Sequence, residues 1–426
     1  MKHPPGYRCY QDKHGALVYQ KLKPGEKQPT SVMKLIRALY GGMECGRLFW
    51  NAFTEWHIKE MGFTQVHQDQ CYLQKELPDG SFIKMCFHVD DAAIVQKGNK
   101  MWAWYQKKLL ERFAYTLGPL RRYLSLDIDI DYDKQTCKIS QQGQVKRLLA
   151  AVGMKDDTKI NQTPLPTYTP TADDVPTDPK ELEACKKKLD MEVVVGHLLY
   201  LQCGTRPDLS YPLKILSRST KAYGPKHIAY AKHVIRYLAG TQTQGLLYKA
   251  GDPADLQIFM DASHAGCTIT RRSITGVVVK LGGNTILWKS LWQSIVSHSS
   301  TESELMALDR GATVGQYIKW LIEGIGVKVH MPIPIFADNT SAIHLGTNPV
   351  QQGRNLHVHA RYFYVRDLVK LGEYDLYHIG TAFQVADILC SGKDSKTFLF
   401  LRARCMGCAR VVNDTSGKFV WDDSRI

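Results

Sequence analysis

Three things are missing from this 426-residue sequence, and each absence narrows the classes of protein that it can belong to. No apolar run approaches the roughly 20 residues that span a bilayer, and the first residues contain no apolar signal region. The 11 cysteines form no compact repeating pattern, which is typical of reduced thiols. These absences predict a cytoplasmic or nuclear protein with no membrane partner.

Acidic residues are scarce relative to basic ones. Lys and Arg number 55 against 41 Asp and Glu, so the formal net charge is +14 and the isoelectric point is near 9.1. This excess of positive charge favours association with phosphate backbones, and it predicts nucleic acid as the partner. With 44% hydrophobic and 23% charged residues, the chain has the composition of a folded protein of two or three domains.

Two short motifs lack residues that their usual chemistry requires. The glycines within 41–47 imitate a phosphate loop, but Arg47-Leu48 stands where Lys and Ser or Thr would contact phosphate and Mg²⁺. We therefore exclude a nucleoside triphosphatase. Cys405 and Cys408 form a close cysteine pair without a second pair or a nearby His, so a zinc site is disfavoured against chance occurrence in a basic tail.

Asp90 and Asp91 lie between two apolar runs with strand character, which predicts a hairpin with both carboxylates at its tip. Adjacent acids repel each other unless water screens them or a cation lies between them. Two interpretations follow: an Asp-rich surface turn, which is the commoner case for an isolated pair, or a divalent metal site with oxygen ligands.

The last third of the chain places acids at the ends or starts of successive predicted elements. Asp261 ends a strand, Glu304 lies at the start of a helix, Asp338 ends another strand, and Asp387 lies in a helix that opens at Gln384. Thr301 and Glu304 have the spacing of a capping box, so each acid alone has a structural explanation. All four in this order match the arrangement of ribonuclease H, where hydrolysis between two Mg²⁺ ions needs several converging oxygen ligands.

Several motifs together resemble the reverse transcriptase of copia-type retrotransposons. In chain order these are Pro4-Pro5-Gly6-Tyr7, Leu39-Tyr40-Gly41, Gly62-Phe63, Asp69, Val89-Asp90-Asp91, Leu117-Gly118, Tyr123-Leu124, Ser140-Gln141, Thr205-Arg206-Pro207-Asp208 and Arg236 to Thr241.

The resemblance implies that Asp90, with Asp91 beside it, belongs to the polymerase metal site, and it also implies departures from the family. The family's further catalytic Asp is expected upstream of the Pro-Pro-Gly segment, and Asp12 lies in a polar turn. His88 replaces the aromatic of Tyr-Val-Asp-Asp, Met43 replaces a Lys, and Glu44 replaces a nucleotide-facing Gln, where a carboxylate would repel a triphosphate. We therefore hypothesise that the chain alone has no polymerase activity.

The C-terminal motifs resemble the same family's ribonuclease H domain. They are Asp261-Ala262-Ser263, Ala265-Gly266-Cys267, Arg272-Ser273-x-Thr275-Gly276, Ser299 to Glu304, Asp338-Asn339-x-Ser341-Ala342-Ile343 and Gln384 to Leu389. Glu304 is preferred to Glu302 because Glu-Leu-x-Ala-Leu is the helix pattern of that domain. Two departures concern substrate positioning: Leu356-His357-Val358-His359 replaces Lys-His-Ile-Asp, and Cys390-Ser391 replaces Thr-Lys.

The resemblance implies a cofactor, substrates and a domain order. Asp261, Glu304, Asp338 and Asp387, together with Asp90, would bind Mg²⁺ or Mn²⁺. The substrates would be an RNA/DNA hybrid and a template-primer, with nucleic-acid contacts from Arg206, Arg236, Arg272 and Asn339. The expected class is α+β or α/β: a truncated reverse-transcriptase palm and thumb at 1–162, a Pro-rich linker at 163–180, a helical connection segment at 181–250, a ribonuclease H-like mixed-sheet domain at 251–402 and a tail at 403–426.

Three hypotheses remain open. The first is a retrotransposon-derived Pol fragment whose ribonuclease H domain hydrolyses RNA in RNA/DNA hybrids. The second is a decayed or co-opted protein that binds nucleic acid through its basic surface without catalysis, which would give salt-dependent binding and no cleavage. The third is an incomplete gene model, in which an Asp-containing strand motif lies directly upstream of the sequence. The oligomeric state is left unassigned.

Overall fold

The computed structural model describes residues 7–11, 17–21, 23–25, 27, 44–154, 159–251, 255–267, 270–347, 359–414 and 419–424. Contacts divide the chain into two compact units, one within 1–66 and 70–113 and the other within 67–69 and 114–426. In the described ranges, no helix has the length and apolarity needed to cross a membrane. Both units mix helices with sheets, so the predicted mixed α and β class is confirmed.

The first unit contains a hairpin, a four-stranded sheet and two helices. Their bounds are β1 (Tyr7–Gln11), β2 (Leu17–Lys21), α1 (Cys45–Lys59), β3 (Thr64–Val66), β4 (Asp69–Glu76), β5 (Phe82–His88), β6 (Asp91–Lys97) and α2 (Asn99–Arg112). The sheet has the order β3-β4-β5-β6. Along β5, Ile83, Met85 and Phe87 are buried in alternation with less buried neighbours, as expected when every second side chain faces a core.

The second unit begins with a sheet and a group of helices. Their bounds are β7 (Arg122–Tyr123), β8 (Leu126–Asp131), β9 (Thr136–Ser140), α3 (Gln142–Ala151), α4 (Pro179–Lys188), α5 (Met191–Gly204), α6 (Ser210–Leu216), α7 (Pro225–Gly240) and β10 (Gly245–Lys249). β9 pairs antiparallel with β10, although more than 100 residues separate them in sequence. This pairing joins segments on either side of the Pro-rich stretch, and the domain boundaries given above stay a prediction.

The Pro-rich stretch packs against α7. Pro164 and Pro170 are buried, and His233 Nε2 lies 3.1 Å from the backbone oxygen of Thr163. The side chain of Asn161 donates to the backbone oxygen of His233 at 3.0 Å. These contacts hold the start of the stretch on the helix surface.

The remainder of the second unit is built on a five-stranded sheet. The element bounds are β11 (Leu256–Ser263), β12 (Ile274–Leu281), β13 (Asn284–Trp292), α8 (Ser300–Gly324), β14 (Ile333–Ala337), α9 (Thr340–Thr347), α10 (His359–Lys370), β15 (Tyr374–His378), α11 (Ser395–Met406), β16 (Arg410–Asn413) and β17 (Phe419–Asp422). The strand order is β13-β12-β11-β14-β15. β11 and β12 pair antiparallel, as do β12 and β13, whereas β14 pairs parallel with both β11 and β15.

Both faces of this sheet are covered, as the alternation along β11 requires. Ile258 and Met260 face a core shared with α8, and Phe259 faces the opposite core. Gly315 allows α8 to lie close to the strand, because a Cβ at this position would be 2.2 Å from Ile258 Cδ1. The sheet is therefore fixed on both sides in front of its acidic edge.

The segment predicted as a polar tail is part of the second core, so that prediction is wrong. α11 continues to Met406, and β16 and β17 form an antiparallel hairpin. Trp421 is buried and stacks on Phe259 with 5.2 Å between ring centroids. Two aromatic residues within a mostly polar stretch gave little sequence signal, but their rings complete the face of the sheet opposite α8.

Candidate metal centre

Asp261 and Asp338 meet because β11 and β14 are parallel neighbours. Ile258 and Phe259 lie opposite Ile335 and Phe336, so the two acids that follow in sequence lie at the same edge of the sheet. Glu304 approaches from the first turns of α8. One carboxylate oxygen from each of Asp261, Glu304 and Asp338 can be chosen so that all three lie within 4.8 Å of one another.

A buried amide fixes this edge of the sheet. Gln384 is fully buried, and its Nε2 donates to the backbone oxygens of Met260 at 3.0 Å and of Phe336 at 3.1 Å. These two carbonyls belong to the neighbouring strands β11 and β14, one residue before Asp261 and two residues before Asp338. The Gln384 side chain therefore holds Asp261 and Asp338 at a set separation.

The start of α8 differs from the predicted capping box. Ser299 is the N-cap, and its hydroxyl accepts from the backbone N–H of Glu302 at 3.1 Å. Glu302 Oε2 in turn accepts from the backbone N–H of His298 at 2.6 Å. The assignment of Thr301 and Glu304 as capping partners is wrong, since Ser299 and Glu302 perform that role and leave the Glu304 carboxylate available.

Glu304 is fixed by one hydrogen bond and has one carboxylate oxygen without a partner. Its Oε1 accepts from the backbone N–H of Ala262 at 3.2 Å, and its Oε2 is buried without a hydrogen bond. Burial raises the pKa of Glu304 to about 9, and repulsion by Asp261 and Asp338 acts in the same direction. A buried carboxylate oxygen with no donor is costly unless a proton or a cation satisfies it.

The carboxylate of Asp261 is also strongly perturbed by its surroundings. Its side chain is 6% exposed, and burial, followed by repulsion from Asp387 and Asp338, raises its pKa well above the usual range. Asp338 is less buried, and its Oδ2 accepts from Thr381 Oγ1 at 2.8 Å. The carboxylates repel one another inside the protein, so a positive charge between them would be stabilising.

Asp387 lies beside the group, in the helix predicted to open at Gln384, which is a 3₁₀ helix (Val385–Leu389) with Gln384 as its N-cap. Its Oδ1 accepts from Ser391 Oγ at 2.7 Å, and its Oδ2 lies 2.5 Å from Lys393 Nζ. The predicted fourth ligand is therefore close enough to raise the pKa of Asp261, but it is paired with a cation of the chain itself.

The donor set fits a hard divalent cation such as Mg²⁺ or Mn²⁺. Three carboxylates from three separate elements supply oxygen ligands, which these ions prefer. The unpartnered Glu304 Oε2 is one oxygen that a cation would satisfy. Across the described parts of the chain, this is the one group of three or more His, Cys, Asp or Glu side chains with ligand geometry.

The Asp90-Asp91 hairpin forms, but its turn is one residue earlier than predicted. Val89 and Asp90 make the turn, and Asp91 begins β6 opposite His88. Val89 has a φ of 54°, a region that β-branched residues rarely adopt. Asp90 and Asp91 are exposed, and no third ligand joins them among the described residues.

The predicted nucleotide-facing residue Glu44 is the N-cap of α1. It is exposed, and its carboxylate lies 3.9 Å from the guanidinium of Arg47 in the first turn. His88, another position used for the polymerase prediction, is the exposed last residue of β5. Asp12, Met43 and the motif Leu39 to Gly41 lie outside the described residues, as do Pro4 to Gly6 and Leu356 to Val358.

Arg206, predicted to contact nucleic acid, is instead buried, which corrects that assignment. Its side chain is 1% exposed and forms a two-pronged ion pair with Asp208, with Nη2 2.7 Å and Nε 3.0 Å from the carboxylate oxygens. Nη1 also donates to the backbone oxygen of Thr241 at 3.0 Å. The Arg206 guanidinium stabilises the helical segment and is not accessible to a phosphate.

The other predicted nucleic-acid contacts have mixed surroundings. Arg272 is exposed, two residues before the start of β12, whereas Arg236 is half-buried with its Nε unpartnered. Asn339 caps α9, since its Oδ1 accepts from the backbone N–H of Ala342 at 3.0 Å. Arg272 is the member of the set whose charge is most available to a ligand.

The sequence motifs did not identify three residues that contact the acids. Thr381 bonds to Asp338, and Ser391 and Lys393 bond to Asp387. Thr381 begins a short 3₁₀ helix (Thr381–Phe383), and Ser391 and Lys393 lie in the loop before α11. The acids themselves were found because strand ends and a helix start are visible in local sequence.

The sequence is similar to proteins of retrotransposons and to a mitochondrial protein of a plant. The chain is 28% identical over 359 residues to the Retrovirus-related Pol polyprotein from transposon TNT 1-94 of Nicotiana tabacum, covering 84% of this chain and 27% of that protein. It is 31% identical over 379 residues to the Retrovirus-related Pol polyprotein from transposon RE2 of Arabidopsis thaliana, covering 87% of this chain and 25% of that protein. An uncharacterized mitochondrial protein of Arabidopsis thaliana is 32% identical over 225 residues, 53% of this chain and 89% of that protein.

Over most of its length this chain is similar to copia-type retrotransposon Pol polyproteins, as its motifs predicted. It spans about a quarter of the length of the transposon polyproteins named above. No family model matches the sequence. Two solved structures are similar to part of the chain. RNase H1 of Halobacterium salinarum NRC-1 has a TM-score of 0.24 and 14% identity, covering 32% of this chain and 94% of that chain. LC11-RNase H1 isolated from compost has a TM-score of 0.26 and 16% identity, covering 32% of this chain and 93% of that chain.

Proposed function

We propose that the chain is a Pol fragment whose C-terminal sheet domain is a divalent-metal-dependent ribonuclease H that hydrolyses the RNA strand of RNA/DNA hybrids. The observation that carries the proposal is the convergence of Asp261, Glu304 and Asp338, with their ligand oxygens within 4.8 Å. Three oxygen ligands on separate elements are what metal-assisted cleavage of a phosphodiester requires.

Different residues of the chain would have different roles at the proposed site. Asp261, Glu304 and Asp338 would hold the cation, and Asp387 would complete the site. Bound divalent ions supply an activated water and neutralise charge that develops on the phosphate. Gln384 fixes the spacing of the two strands that carry Asp261 and Asp338, and the backbone of Ala262 orients Glu304.

Substrate binding would rely on positive charge at the sheet edge and on the net charge of +14. Arg272 is exposed, and Arg236 and Asn339 complete the proposed contacts. We retain Mg²⁺ or Mn²⁺ as the cofactor and an RNA/DNA hybrid as the substrate. For the first unit we propose no polymerase activity in the chain alone, because Asp90 and Asp91 have no third acid beside them among the described residues.

The test is the cleavage of labelled RNA in a hybrid, compared with single-stranded RNA and duplex DNA of the same sequence. We expect the hybrid alone to be cleaved, with Mg²⁺ or Mn²⁺ required. If wild type and Asp261→Asn are equally inactive with both ions, the enzymatic proposal fails.

A second candidate function is nucleic-acid binding without catalysis. The pairing of Asp387 with Lys393 favours it, since a metal ligand is occupied by a side chain of the protein. This alternative would be supported if the hybrid is bound but not cleaved, and if the logarithm of the binding constant falls linearly with the logarithm of the salt concentration.

A further inference from the structure

Asp387 differs from the other three acids in having both of its oxygens satisfied by the chain. Ser391 donates to Oδ1 at 2.7 Å and Lys393 lies 2.5 Å from Oδ2. Glu304, by comparison, retains an unpartnered oxygen, and Asp387 does not join the group with ligand geometry. Three of the acids, Asp261, Glu304 and Asp338, therefore form a group with no ion-pair partner among the described residues. The fourth, Asp387, already forms an ion pair with Lys393.

The ion pair is enclosed. The side chain of Lys393 is 20% exposed and that of Asp387 is 8% exposed, so bulk water screens their attraction poorly. The positive charge also acts on Asp261, whose pKa it lowers against the larger raising effects of burial and of Asp387 and Asp338. Within the described ranges, no other Lys, Arg or His forms an ion pair with any of the four acids.

Lys393 lies six residues after Asp387 in the chain. The resemblance leads us to expect Lys at position 391, where Ser391 stands, and Lys393 lies two residues further along. Here Ser391 donates to Oδ1 of Asp387, and the ammonium group of Lys393 lies 2.5 Å from Oδ2, which is the distance of a direct ion pair.

We propose that Lys393 occupies the position of a second divalent cation at Asp387, so that the chain binds one ion tightly and a second one only weakly. The inference rests on the proposed metal site of the ribonuclease H function. A cation and an ammonium group repel each other at ligand distances, and removing the ammonium group leaves Asp387 free to coordinate. Lys393 is thus a positioning residue that sets how many ions the site holds.

The experiment measures Mn²⁺ binding by the full chain with electron paramagnetic resonance and calorimetry, without a nucleic-acid substrate. Wild type is expected to show one tight site. Lys393→Gln is expected to bind a second Mn²⁺ at least tenfold more tightly than wild type does. The second site should disappear when Asp387→Asn is added to Lys393→Gln.

Two control variants keep the proposal falsifiable. Lys396→Gln removes the same charge from an exposed position three residues away and should bind Mn²⁺ as wild type does. Lys393→Arg retains the positive charge and should also show one tight site, and Lys393→Met replaces Lys393→Gln if that variant does not fold. The proposal is overturned if wild type binds two ions with similar affinity, or if Lys393→Gln and Lys396→Gln have the same stoichiometry. Because no cleavage is measured, an inactive enzyme leaves this result interpretable.

Discussion

Glu304 accepts a hydrogen bond from the backbone N–H of Ala262 at 3.2 Å, which ties the start of α8 to the end of β11 beside Asp261. The contact aims one oxygen of Glu304 at the backbone and leaves the other buried without a donor. A helix and a strand that are 42 residues apart in sequence thereby share one acidic site.

Replacing Glu304 by Gln is expected to remove the pH dependence of stability that this carboxylate contributes. The pKa of Glu304 is about 9 in the folded chain and near 4.5 when unfolded, so the metal-free protein loses stability as the pH rises between these values. Glu304→Gln removes this contribution and flattens the profile. Thermal unfolding in a chelator from pH 5 to 9 measures the difference.

The same variant should no longer respond to metal. Saturating Mn²⁺ should raise the melting temperature of wild type by on the order of 5 °C at pH 7.5, because ligand binding to the folded state is stabilising. Glu304→Gln should show a much smaller rise. An equal rise in both proteins would mean that Mn²⁺ binds elsewhere.

His57 should make the first unit sensitive to acid. Its Nδ1 lies 2.8 Å from the backbone oxygen of Phe53 and its Nε2 lies 3.0 Å from Tyr105 Oη. Burial lowers its pKa from 6.5 to about 4, so the associated stability is complete above pH 6.5 and is lost as the pH falls toward 4.

The loss across this window should be at most about 3 kcal/mol, at 1.36 kcal/mol per pKa unit. Urea unfolding between pH 4 and 7, followed by tryptophan fluorescence, measures it. His57→Gln should remove most of the pH dependence at some cost in stability. A wild-type profile that is flat in this range contradicts the assignment of a buried neutral imidazole.

Replacing Arg206 by Met should lower the stability of the fold rather than remove a contact to nucleic acid. The change leaves Asp208 buried without its partner, which typically costs about 3 to 5 kcal/mol. Chemical denaturation should show this loss. The matched variant Arg272→Gln removes an exposed charge and should leave stability within about 0.5 kcal/mol while weakening binding to a hybrid. Normal stability of Arg206→Met would contradict the burial of the ion pair.

The first unit should not extend a primer. Asp90 and Asp91 lie exposed in a hairpin with no third acid near them in the described residues, so two cations would lack ligands. Extension of an oligonucleotide on a homopolymer template measures the activity. Wild-type extension above the level of Asp90→Asn would refute this expectation.

The sequence identified the acidic site better than its surroundings. Asp261 lies near the end of β11 and Asp338 directly follows β14, two strands whose apolar character is local, and Glu304 lies in a helix with clear periodicity. Glu302 was the competing acid, and only the packing of α8 shows that Ser299 and Glu302 bond at the helix start. The spacing of the motif could not distinguish these two roles.

Long-range packing explains what the sequence could not predict. Arg206 lies in a motif that is polar in sequence, yet its partners include Thr241, 35 residues away. Trp421 packs on Phe259 across 162 positions of sequence, so a segment with little local pattern becomes part of the core. Lys393 reaches Asp387 because the loop after the 3₁₀ helix turns back toward the site.

The most direct test of the proposed catalytic site compares Asp261→Asn with a matched Asp→Asn change elsewhere on the same sheet. Asp375 lies on β15, where its carboxylate accepts from Tyr377 Oη at 3.1 Å. With Mg²⁺ and a labelled RNA/DNA hybrid, wild type and Asp375→Asn should cleave at similar rates. Asp261→Asn should be slower by more than about 100-fold, since even changes to residues around metal ligands commonly cost 10- to 100-fold. Equal cleavage by all three proteins, or cleavage by none, would contradict a catalytic site built on Asp261.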